Sequence, residues 1–175
     1  MTVQSVQFQD SSNTVYVAVI DGITMYVPVS GVVARDAYIT TMVSDWIKAG
    51  GIVAPAPAPS NTQIAQGKYA NALSTVNVTW TTSNSLNGTY AVDSGTQFNV
   101  TAETVSILQN NTMTNGTSSR LWHQANGNFV TINTTQFKKF ATAVASYVDS
   151  IQMAYANTIA NSATVWPSAN LSITG

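Results

Sequence analysis

The groups able to exchange protons, attack a substrate or hold a metal are few and far apart. His123 is the single histidine, and cysteine is absent. Between Asp45 and Asp149 the only carboxylates are Asp93 and Glu103. Acid–base and nucleophilic chemistry needs two such groups within hydrogen-bond reach. Asp93 stands where a strand gives way to a helix and reads as a helix cap; Glu103 reads as a solvated helix residue. His123 follows Trp122 just before a predicted turn, the position of an exposed or structural imidazole. There is no Gly-x-Ser-x-Gly elbow, EF-hand loop, phosphate-binding loop or dinucleotide fingerprint. Lack of cysteine excludes disulfides, thiolate metal sites and a cysteine nucleophile. The Asn-x-Thr triplets at Asn77, Asn87, Asn115 and Asn133 are expected by chance in a chain so rich in Asn and Thr. The expectation is no catalytic residue, no metal and no cofactor.

Composition points the same way. Charged residues make up 7% of the 175 positions, against roughly 25% in an ordinary soluble domain. Ser, Thr and Asn together fill about a third of the chain, so uncharged polar groups cover the surface. Such a surface packs against neighbours without stranding buried ions, whereas charge opposes association. A hydrophobic content of 45% suffices for a core and argues against disorder. Net charge is −1 with only six basic residues, which predicts no nucleic-acid partner. No run of about 18 apolar residues occurs, so no membrane insertion is expected. Met1-Thr2-Val3-Gln4 lacks the basic and apolar blocks of a secretory leader.

The elements form two modules. Val3–Phe8, Val15–Ile20 and Ile23–Val29 are rich in β-branched and aromatic residues. Asp21-Gly22 between the last two marks a tight hairpin, since both turn positions need positive φ. The sequence predicts a three-stranded meander with a turn at Gln9–Asn13, and Pro28 at an edge or strand end. A helix follows from about Ala34 to Ala49, with Tyr38, Met42 and Trp46 on its apolar face beside Ile39 and Val43. Gly50-Gly51 ends it. These elements make a module over 1–53. The alternating Ala-Pro stretch, 54–61, is a semi-rigid spacer.

The second module, 62–165, begins with a weak helix over Gln63–Leu73 and a strand over Val76–Thr81. Another short strand, Thr89–Val92, precedes a helix whose inward side is expected to carry Phe98, Ala102, Val105 and Leu108. Asn110–Ser119 is a polar loop, and a hairpin forms around Asn126-Gly127. A long helix spans about 134–161, capped by Thr134 and roughly 40 Å long. Residues 166–175 show no periodicity and are an ordered arm or a loose tail. The fold class is α+β: an antiparallel meander plus helix, a Pro-rich connector, and short strands with a long terminal helix.

The last helix carries an apolar stripe: Phe137, Phe140, Val144, Tyr147, Val148, Ile151 and Tyr155. It outreaches strands about 17 Å long. Part of the stripe is therefore expected to meet another subunit, a candidate oligomer interface. Trp46, Trp80, Trp122 and Trp166 are spread one per element and read as core anchors ahead of a sugar-stacking surface.

The chain resembles a known class at this point. An Asp-Gly hairpin, a helix ending in Trp46-Ile47-Lys48-Ala49-Gly50 and a Pro-rich connector are similar to the start of phage tail-fibre-associated proteins. The second half resembles a small domain of phage tail proteins in Thr89–Asp93, Leu121–Gly127 and Ile132–Phe137 with the helix that follows. The final helix, with only Lys138, Lys139 and Asp149, is poorer in charge than that family's. The resemblance implies a structural virion protein made in the host bacterial cytoplasm, most often a tail fibre, fibre-anchoring or baseplate-type component. Head decoration, a head fibre or a fibre-assembly chaperone are the alternatives. Implied partners are other virion proteins and copies of the chain itself, a trimer being favoured; a host-surface glycan is the least supported.

Overall fold

The structure, a computed structural model, describes residues 2–9, 12, 14–29, 37–160 and 163–174. The turn expected at Gln9–Asn13, the first turn of the helix expected from Ala34, and the helix end at Asn161 fall partly outside these residues. The chain divides into two compact units, 1–59 and 60–175. Both are α+β.

In the first unit, β1 (Val3–Phe8), β2 (Val15–Ile20) and β3 (Ile23–Pro28) form the antiparallel meander. Ile20 pairs with Ile23 across a two-residue turn whose φ angles are 48° at Asp21 and 81° at Gly22. Both are positive, as a primed turn requires. The Asp21 carboxylate accepts from the Thr2 amide at 2.7 Å, fastening the turn to the start of β1. Pro28 ends β3, an edge strand.

Helix α1 (Ala37–Lys48) covers this sheet through Val43, with Ile39, Met42, Trp46 and Ile47 half-buried around it. Tyr38, expected on that face, is exposed: the helix turns its Ile39–Val43–Ile47 side inward. Trp46 closes over Gly51, where any Cβ would strike the indole ring. The sheet also has a strand that periodicity does not announce. Val53–Ala54 (β4) lies parallel to β1, and the Gln7 side chain donates to the Pro55 carbonyl at 2.9 Å. The start of the Ala-Pro stretch is thus held on the sheet of the first unit.

The second unit opens with α2 (Asn61–Ala72). Ser60 caps it by a reciprocal box: Gln63 N–H donates to Ser60 Oγ at 3.2 Å, and Ser60 N–H to Gln63 Oε1 at 2.8 Å. β5 (Thr75–Trp80) alternates buried Val76, Val78 and Trp80 with exposed residues. It pairs antiparallel with β6 (Gly88–Ala91) and parallel with β9 (Asn170–Ile173). The segment after Trp166, without periodicity, is therefore an ordered arm that completes a three-stranded sheet. β7 (Ser119–His123) and β8 (Phe129–Asn133) make a separate hairpin with Gly127 at φ 89° in its loop.

α3 (Ser94–Asn110) is capped by Asp93, which accepts from Thr96 N–H at 2.8 Å. α4 (Thr134–Ala160) has 27 residues, about 40 Å. Its cap is Asn133, one residue before the expected Thr134: Asn133 Oδ1 accepts from Gln136 N–H at 2.9 Å, and Gln136 Oε1 accepts from Asn133 N–H at 3.0 Å. Trp80, Tyr90, Phe137, Phe140 and Ile151 are among the largest fully buried side chains of the core. Each such side chain contributes about 2 kcal/mol by leaving water.

Candidate functional site

The stripe expected to meet another subunit is spent inside the chain. Phe137, Phe140, Val144, Tyr147 and Ile151 are buried in the core of their own unit. Val148 is half-buried against that core, and Tyr155 packs on Tyr69 of α2 with ring centroids 4.9 Å apart. Tyr147 also donates its hydroxyl to the Ala72 carbonyl at 3.0 Å. Short strands alone cannot cover a helix about 40 Å long. α2, about 18 Å long, lies along the remainder and covers it.

Helix α3 corrects a second expectation. Phe98, Ala102, Val105 and Leu108 do not face the core; they face solvent, with Phe98 73% and Leu108 68% exposed. The buried side carries Val100, Glu103 and Ile107. Glu103 is 2% exposed rather than solvated. Its carboxylate accepts from the Thr114 amide at 2.9 Å and the Thr114 hydroxyl at 2.6 Å, and pairs with Arg120 on β7. The Arg120 guanidinium lies 5.6 Å from the Trp122 ring centroid and donates to Thr114 Oγ1 at 3.1 Å. A buried carboxylate is tolerable only with such partners.

This cluster lines a cleft of about 380 Å³ together with His123 and Phe129. His123 is exposed, its ring edge-on to Phe129 at 5.0 Å. Both Glu103 oxygens are engaged by Thr114 and Arg120. Among the described residues no three His, Asp or Glu side chains gather as metal ligands. The cluster ties the loop after α3 to β7.

The tryptophans are buried or half-buried. Trp80 and Trp122 are core residues, and Trp166 donates from Nε1 to Thr158 Oγ1 at 3.0 Å.

Exposed apolar side chains, those of Val105 and Leu108, also stand open to solvent on the face shared by α3 and α4. A groove runs between them in two connected stretches of about 470 and 280 Å³. Its floor and walls hold Val100, Val105 and Leu108 on α3, and Ala141, Ala145 and Val148 on α4. Leu108 lies beside Lys138 at one end and Gln97 beside Asp149 at the other, so the helices are antiparallel. Thr101, Thr104 and Thr142 supply hydroxyls along the walls. Thr101 and Thr104 donate back to the Gln97 and Val100 carbonyls, and Thr142 to that of Lys138. These donors are satisfied within their helices, so an apolar or small-residue surface can lie on them without loss. The α3 half of this face, expected in the core, is open: a 3.6-residue period identifies a stripe without saying what covers it.

Compared with known proteins, the chain matches no family model, no curated protein and no solved structure.

Proposed function

We propose that this chain is a structural subunit that works by contact with other subunits, and that its setting is a bacteriophage particle, in the tail as a fibre, fibre-anchoring or baseplate-type component. The observation that carries the contact role is the α3/α4 groove, lined by the exposed side chains of Val105 and Leu108. Exposed apolar side chains gathered along a groove, as Val105 and Leu108 are, support an interaction role. The scarcity of charge around it supports the same reading, since a contact surface with few ions loses little on desolvation. Placement in a phage rests on the resemblance carried by Trp46–Gly50, Thr89–Asp93 and Ile132–Phe137.

Quantitative mass spectrometry of particles purified from the source tests this. A tail component is expected at a fixed copy number of a few multiples of three or six. Hundreds of copies would move the protein to the head. Presence in assembling extracts with absence from finished particles would make it an assembly chaperone. Absence from both would remove the phage assignment.

A further inference from the structure

The α3/α4 face has a property that selects one partner. On α4 its exposed stripe is Lys138, Thr142, Ala145 and Asp149, with opposite charges at the two ends. Among the described residues neither Lys138 nor Asp149 makes an ion pair within the chain. On α3 the exposed stripe beside it is Phe98, Thr101, Val105 and Leu108. Spacings of three and four keep each set on one side of its helix. Reversed end for end, each stripe falls on itself. Lys138 lands on Asp149 and Thr142 on Ala145; Phe98 lands on Leu108 and Thr101 on Val105. The midpoints of both stripes also lie at one level of the groove, where Thr104 of α3 adjoins Thr142 and Ala145 of α4. One two-fold axis therefore serves both helices.

We propose that this face binds a second copy of the chain, antiparallel about that axis. The proposal rests on the reading of the chain as a contact-making subunit and names its partner. α4 of one copy crosses α4 of the other at Thr142 and Ala145, side chains small enough for axes 8–10 Å apart. Lys138 of each copy meets Asp149 of the other, and Phe98 of each packs on Leu108 of the other. Every neighbouring pair in the resulting four-helix arrangement is antiparallel, the geometry of an up-and-down bundle. A parallel or three-fold arrangement would instead set Lys138 against Lys138 and Asp149 against Asp149.

The test is sedimentation equilibrium of the full chain, with circular dichroism to verify folding. The expected result is a monomer–dimer equilibrium. Lys138→Asp or Asp149→Lys alone weakens it on the order of tenfold, because each creates two like-charge contacts per dimer. The double reversal Lys138→Asp with Asp149→Lys restores it to within about threefold of the original. Leu108→Asp removes the dimer and leaves the helical signal unchanged, since the side chain is exposed in the folded unit. A chain that stays monomeric up to about 1 mM, a trimer, or a dimer indifferent to both charge reversals overturns the proposal. A monomer present in particles at fixed copy number overturns the two-fold and leaves the structural role standing. A dimer missing from particles supports the two-fold and removes the role.

Discussion

Glu103 on α3 and Arg120 on β7 form an ion pair on the inner side of the polar loop that joins their elements, and Thr114 in that loop donates twice to the same carboxylate. Glu103 is buried while Arg120 keeps 35% of its side-chain surface in solvent. Removing the cation leaves a carboxylate in the core without its counter-charge. Arg120→Ala is expected to cost about 3 kcal/mol, at the low end for buried pairs because Arg120 is part-exposed. Glu103→Gln, which keeps a group able to accept from Thr114, should cost less. Urea unfolding of the two variants checks this; equal losses would mean that the charge is immaterial there.

The orientation of α3 has a simple mutational signature. Ile107→Ala should cost roughly 2–5 kcal/mol, because it empties a buried site. Phe98→Ser should leave the unfolding free energy of the isolated unit within about 0.5 kcal/mol, since the ring lies in water. The measurement belongs at protein concentrations low enough to keep the chain monomeric. Had the helix faced inward through Phe98 and Leu108, the two results would be reversed.

The C-terminal arm is part of the core sheet. Asn170–Ile173 pairs with β5 along its whole length, and Ile173 is buried. Ile173→Ala is expected to destabilise the second unit by about 2–3 kcal/mol. Hydrogen exchange should slow the amides of Asn77 and Thr81, which donate to the Ala169 and Ile173 carbonyls at 2.8 and 3.1 Å. Rapid exchange at both would show that the arm is not docked.

Stability should decline at alkaline pH for a specific reason. Burial raises the Tyr90 hydroxyl above its ordinary value of 10.0, against a smaller lowering from the Gln124 hydrogen bond, and burial alone raises Tyr147. Above pH 10 the unfolded chain releases these protons while the folded chain retains them. The stabilisation is complete below that value and is lost as pH rises through the folded values. Urea midpoints measured from about pH 8 to about pH 11 should fall, and fall less steeply in Tyr147→Phe. A midpoint that rises with pH would contradict the burial.

Much of the architecture was legible because local rules and tertiary packing agree there. Asp21-Gly22 needs positive φ, and the turn adopts it. Asp93 lies one residue before a helix and caps it. Phe137, Phe140, Val144, Tyr147 and Ile151 share one side of α4, and that side is buried. The candidate site was less legible, because two apolar stripes can occupy one helix. On α3, Phe98–Val105–Leu108 is as periodic as Val100–Ile107, and the polar Glu103 within the second set favoured the wrong side.

Local sequence alone determined the main helices and the meander strands, the tight Asp21-Gly22 turn and the Asp93 cap, and how few ionisable groups there are to perform chemistry. These are consequences of backbone sterics, side-chain periodicity and residue counts, each settled within a few neighbouring positions. Only the tertiary structure decided that Glu103 and Arg120 neutralise one another inside, that Asn170–Ile173 joins the sheet, and that the α3/α4 face stays open. Those outcomes depend on which surfaces distant segments leave uncovered once the core has closed. Burial is a property of the packed chain as a whole, so no stretch of residues carries it by itself.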